Sequence, residues 1–330
     1  MRRSLTVCLL AWYLASPGFS SQDMEMYGDW SVAHRVAPPV NTDSNDTYAI
    51  LSRDELTMYF TSDRPGSLGG DDLWFTTRAS VDDPWETPTN LSVLNTSALD
   101  SLAVLSSDEH VMFFHSTRPG GCGAGDIWMT RRHNRRSQEW NPPINLRCVV
   151  NTTSTEIAPA FFENPETAEV TLYYGSDRTG GLGDYDVYAS VVGEDGYFGP
   201  GELVPEFSSP GRDTRIFIRR DGLEAFITSD RAGGHDLIDI WTSTRETLSD
   251  PWPPIPIDLP SPINSTCDDG SPSLSRDGTT LYFFSNRTAG LECGNRDIWY
   301  ATREKIKQEN AIEGMVNTFS RMVARLTGNH

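Results

Sequence analysis

Residues 62–74 read SDRPGSLGGDDLW, and the phrase returns four more times: STRPGGCGAGDIW at 116–128, SDRTGGLGDYDVY at 176–188, SDRAGGHDLIDIW at 229–241 and SNRTAGLECGNRDIW at 285–299. The copies begin 54, 60, 53 and 56 residues apart. A period of that size means a stack or ring of supersecondary units. Working outward from the first copy, 56–62 (LTMYFTS) alternates as a half-buried strand does, and 72–78 (DLWFTTR) follows as a third strand. The short apolar run 48–51 supplies an inner strand, and 85–91, with Pro88 inside it, an outer one where an edge tolerates proline. Glycines in the connecting loops supply the positive φ that tight turns need.

The chain ends decide between ring and solenoid. The fifth unit has three strands and stops near Arg303, while a fourth-strand segment with no unit of its own lies at 30–41. A ring closed by an N-terminal strand accounts for that split. The expected fold class is therefore all-β, a five-bladed β-propeller over 30–303. It is preceded by a signal peptide (1–20) and an extension (21–29), and followed by a C-terminal amphipathic α-helix over 304–330. Within that tail Ile312, Met315, Val316, Phe319, Met322, Val323 and Leu326 recur at helical spacing. Such a stripe offers docking on the propeller, self-association or a partner helix.

The repeat is clearest at 275–299, where Ser275, Asp277, Gly278, Leu281, Tyr282, Phe283, Ser285 and Arg287 precede Asp297, Ile298 and Trp299. It resembles the WD40-like propeller repeats of the TolB type, over nearly the whole of 30–303. The resemblance implies an exported, mostly bacterial propeller that serves as a binding module beside a cell envelope. This chain has one blade fewer than TolB, and its third unit replaces the Ser-x-Asp-Gly turn with FENPETAE at 162–169.

With 27 Lys+Arg against 46 Asp+Glu the formal net charge is −19, which argues against nucleic acid, since phosphate contacts need clustered cations. Arg2 and Arg3, an 11-residue apolar stretch from Leu5 to Ala15, and small residues at Gly18 and Ser20 have the form of a secretory signal. The expected localisation is secreted or periplasmic. Four cysteines then remain, Cys122, Cys148, Cys267 and Cys293, an even count that suggests two disulfides among three possible pairings. On the repeat map Cys122–Cys148 and Cys267–Cys293 join loops of one face. No CxxC pair points to zinc.

Two sets of charges recur with the fold. Arg64, Arg118, Arg178, Arg231 and Arg287 hold one repeat position, and Asp72, Asp126, Asp186, Asp239 and Asp297 another. Bidentate pairing between these two sets, beside the aromatic that follows (Trp74, Trp128, Tyr188, Trp241 and Trp299), is the expected structural device. A second acidic set, Asp46, Asp100, Glu156, Asp213 and Asp269, opens the inner strands. Converging on the central channel, it could hold calcium or another hard cation, although local hydrogen bonding to main-chain N–H groups is the favoured reading.

Sequence motifs offer no nucleophile elbow, HExxH or phosphate loop. The first functional expectation is accordingly a non-catalytic propeller that binds a protein or glycan partner, with no catalytic residue. The alternative is a carbohydrate-active enzyme of the glycoside hydrolase kind using channel-mouth carboxylates. Five near-identical acids argue against it, because an acid and a base need different environments.

Overall fold

The computed structural model describes residues 26–235, 237–288 and 292–306. They divide into two units, and the larger, Trp30–Thr302, is the propeller. It comprises five four-stranded antiparallel sheets. Inner strands are Asp46–Leu51, Asp100–Leu105, Glu156–Glu163, Asp213–Ile218 and Asp269–Leu274. Each pairs outward with a second and a third strand, and then with an outer strand of two residues. Blades are numbered here in that order.

Second strands such as Thr57–Ser62, Glu224–Ser229 and Thr280–Ser285 are buried along nearly their whole length. They lie between two neighbouring sheets, so both faces are covered, where the alternation in the sequence suggested a half-buried strand. The core accordingly falls into five clusters, one at each interface between adjacent blades. Ile50 and Tyr59 of blade 1, for example, meet Met112, Phe114 and Trp128 of blade 2.

Blade 5 takes its outer strand from the start of the chain. His34–Arg35 pairs with Asp297–Thr302, and Val36 and Val40 join the cluster between blades 5 and 1. Asn41 then fastens the closure: its Oδ1 accepts the Ile298 N–H at 2.9 Å and its Nδ2 donates to the Ile298 carbonyl at 2.8 Å. Asn95, Asn151 and Asn264 make the same two bonds in blades 1, 2 and 4. All three sit in Asn-x-Ser/Thr sequons, yet their amides are committed and buried, which explains the recurrence by the fold.

Both disulfides have formed, Cys122–Cys148 and Cys267–Cys293, each spanning 26 residues. Among the described residues no helix is long and apolar enough to cross a membrane. In the smaller unit Met26–Tyr27 pairs with Lys305–Ile306, so those two C-terminal residues are strand where the tail helix was expected to begin. The rest of that helix, like the signal segment, lies outside the described residues.

Candidate functional site at the channel mouth

The recurring arginines do not pair as the sequence suggested. Arg118 Nη2 donates to Asp100 Oδ1 at 2.6 Å, as do Arg231 to Asp213 and Arg287 to Asp269, with Arg64–Asp46 and Arg178–Glu156 completing the set. The partner is the acid that opens the inner strand, not the acid of the third strand. Register explains why both were plausible: Ser62 lies opposite Asp46 on one side and Asp72 on the other. Asp72 is already engaged by the Leu68 and Gly69 N–H groups and by Asn90 Nδ2. It caps the Gly-rich loop.

Each arginine also donates to a main-chain carbonyl of the preceding connection: Val40, Leu94, Val150, Phe207 and Ile263. Its guanidinium lies over the following aromatic, 5.3 Å from Trp74, 5.1 Å from Trp128 and 4.5 Å from Tyr188. Trp241 and Trp299 are placed alike. The five acids of the inner strands are fully buried, and Thr96 N–H, Thr96 Oγ1, Ser116 Oγ and Arg118 occupy the Asp100 oxygens. A cation there would have to displace those donors. This ring belongs to the architecture.

Chemical difference appears where the repeat loses its symmetry. Two residues into the inner strands stand Tyr48, Leu102, Ala158, Arg215 and Ser271, lining a cavity of about 90 Å³ in the channel. Four of these, all but Arg215, adopt positive φ between 52° and 59°, a conformation that non-glycine residues rarely take and that often marks functional backbone. One residue before each third strand the chain places Asp71, Gly125, Tyr185, Ile238 and Arg296.

Asp71 is the acid of this mouth. Its side chain accepts no hydrogen bond among the described residues, burial pushes its carboxyl above the usual range, and the charge of Asp63 adds to the rise while Arg296 opposes it. Asp63 is held in place by Asn45, from the main-chain N–H at 2.8 Å and from Nδ2 at 2.9 Å. Tyr48 lies within electrostatic reach of Asp71, Arg296, Arg215 and Arg212, and burial raises its phenol. Arg296 donates to Asp268 at 2.9 Å. His115, buried beneath the mouth, has its pKa lowered by burial and shares a 2.9 Å bond between Nδ1 and the Glu156 carbonyl.

Sequence reasoning missed Asp71, Arg215 and Arg296 by attending to what recurs. The signal was the residue type that fails to recur at a channel-facing position. The opposite end of the channel holds a second cavity, of about 190 Å³, where Glu109 and Glu163 accompany Arg53, Arg220 and Arg276. A third grouping lies in blade 4, where His235, Asp239 and Asp258 bring one ligand atom each within 4.8 Å of one another.

No family model matches the chain, and no curated protein does. Solved structures do. An alpha-L-arabinofuranosidase from Lactobacillus brevis superposes with a TM-score of 0.54, at 11% identity over 82% of this chain and 94% of that one. An N-acetylgalactosamine deacetylase from F. plautii, in complex with blood group B trisaccharide, gives 0.53 at 11% identity, covering 84% and 95%. An endo-arabinase from Bacteroides thetaiotaomicron gives 0.52 at 13% identity, covering 84% and 99%. At such identities the likeness shows the fold. All three are named for reactions on sugars, and this corrects the first expectation from sequence, a non-catalytic propeller serving only as a binding module.

Proposed function

We propose that this chain is an exported carbohydrate-active hydrolase whose reaction takes place at the channel mouth beside Tyr48, with Asp71 as general acid and Asp63 as the second carboxylate. The observation that carries the reading is the unpartnered, partly buried Asp71 carboxyl, standing where the other blades have Gly125, Tyr185, Ile238 and Arg296. It answers the objection that five equal acids cannot divide the work.

Glycosidic bond cleavage uses two carboxyl groups, one protonated to release the leaving oxygen and one ionised to supply a base or nucleophile. Different surroundings set the two states. Asp71, desolvated and next to a negative neighbour, keeps its proton to higher pH; Asp63, which accepts two N–H bonds from Asn45, is oriented as the second carboxylate. The neighbouring solved structures, one named an alpha-L-arabinofuranosidase and another an endo-arabinase, support a glycan as substrate. The two disulfides fit an oxidising, extracellular setting.

Release of reducing sugar from a panel of arabinan, arabinoxylan, galactan and acidic polysaccharides tests the reading. Turnover that falls by roughly 10²–10⁴ in Asp71→Asn, with an unchanged melting temperature, is the expected result. Activity retained by that variant overturns the assignment of Asp71.

A further inference from the structure

The inner strand of blade 4 carries an arginine where its four counterparts carry uncharged side chains, and this arginine is buried. Arg215 is 2% exposed. Among the described residues its Nε and Nη1 find no hydrogen-bond partner. The one ionisable group that bears on it is the Tyr48 phenol, and burial drives its pKa down to about 10. The recurring arginines of the Gly-rich loops are treated differently: Arg64, Arg118, Arg178, Arg231 and Arg287 each hold a carboxylate, a serine hydroxyl and a carbonyl.

A buried guanidinium without an anion is costly, and proteins keep one where a ligand completes it. The cavity beside Arg215 holds about 90 Å³, ample for a carboxylate group. Arg212 and Arg296 also line it, so the opening is cationic in a chain whose net charge is −19. Tyr48 and Phe284, in edge contact with centroids 5.8 Å apart, give the same cavity an aromatic wall. A sugar face can lie against such a wall while an acidic substituent reaches inward.

We infer that Arg215 anchors the carboxylate of an acidic saccharide, so that the substrate class is a uronate-containing glycan. This rests on the carbohydrate-active reading above and narrows it. Arginine suits the task because its planar fork pairs with carboxylates through directed N–H bonds.

Calorimetry on the full chain with oligogalacturonate, oligoglucuronate, uncharged galactotriose and acetate tests the inference. One of the two uronates is expected to bind at least tenfold more tightly than galactotriose and acetate, and to lose at least tenfold in Arg215→Met. Methionine fills the same space without the charge, so this variant should melt no lower than the parent in the absence of ligand, and the bound uronate should raise the melting temperature of the parent alone. Acetate binding as tightly as the uronates would leave an anion site with no sugar and overturn the inference. Galactotriose binding or neutral-glycan hydrolysis unaffected by Arg215→Met would overturn it as well, while leaving the hydrolase reading intact. Failure of both uronates to bind also overturns it, and the reducing-sugar assay then judges the hydrolase reading separately.

Discussion

Arg118 reaches eighteen residues back along the chain to place Nη2 2.6 Å from Asp100 Oδ1, and the same guanidinium holds the Leu94 carbonyl of the preceding connection. One side chain thus joins the link between two blades to the first residue of the next inner strand. Repeated in every blade, this stitch fixes where each inner strand enters the channel, and so where the residues two positions further on face one another.

Arg118→Met should therefore be strongly destabilising. Asp100 is fully buried, and removing its cation leaves a charge in a dry site, at a cost of about 3–5 kcal/mol. Asp100→Asn combined with Arg118→Met should recover part of that loss, since the uncompensated charge is gone. Chemical denaturation of the two single variants and the double variant reads the coupling; additive losses would show that the pair does not act as a unit.

Blade 4 makes a prediction about pH. Asp258 occupies the position from which Asn90 and Asn145 donate to Asp72 and Asp126. An ionised carboxylate cannot donate, so Asp239 Oδ1 lacks that amide donor and has only the His235 Nδ1 beside it, at 3.3 Å. Burial pushes the Asp239 carboxyl above its ordinary range, and the Asp258 charge adds to it. A carboxyl raised in the folded state stabilises below its unfolded value, and that contribution is lost as pH rises through the folded value. Asp258→Asn should restore the donor, raise stability near neutral pH by about 1 kcal/mol, and flatten the decline above pH 4. Melting curves between pH 4 and 7 check it; a variant that is no more stable than the parent at pH 7 refutes the account.

The blade count, the ring closure and the disulfide pairing were legible because each follows from alternation, spacing and the unmatched strand at 30–41. Asn95, Asn151 and Asn264 were visible only as sequons, and Asn41 not even as that, since nothing local in the sequence says that an amide will continue a sheet ladder. The arginine partners were illegible for a different reason. Asp46 and Asp72 both lie across from Ser62, and only the loop N–H groups that claim Asp72 decide between them. The candidate site hid behind the repeat itself: Asp71 and Arg215 stand at positions whose neighbours in the ring are unlike them.

The disulfides give a simpler expectation. Each closes 26 residues, which restricts the unfolded chain by about 3 kcal/mol. Cys122→Ser with Cys148→Ser should lower the melting temperature, and so should Cys267→Ser with Cys293→Ser, while the strand content seen by circular dichroism stays the same. The two losses should add, because the bridges lie in different blades. Removal without any change in melting would mean that these loops are already confined by hydrogen bonds such as Cys122 N–H to Asp126 and Ser265 N–H to Asp269.

Asp63 supplies the last test, of how the acid at the mouth is tuned. Its negative charge raises the Asp71 carboxyl, second only to burial, while Arg296 pulls the other way. A general acid works only while protonated, so the alkaline limb of the rate profile follows the Asp71 titration. Asp63→Asn keeps a side chain that can accept the Asn45 N–H and removes the charge; because it also removes the second carboxylate, its effect is read by NMR titration of the Asp71 carboxyl rather than from rates, and that carboxyl should titrate lower. Arg296→Gln removes the opposing cation, so the same carboxyl should titrate higher and the alkaline limb of the rate profile should move to higher pH with it. Opposite displacements by substitutions on either side of Asp71 would show that these two charges tune it. Displacement in the same direction, or a limb that stays in place in Arg296→Gln, would mean that another carboxyl gives up the proton.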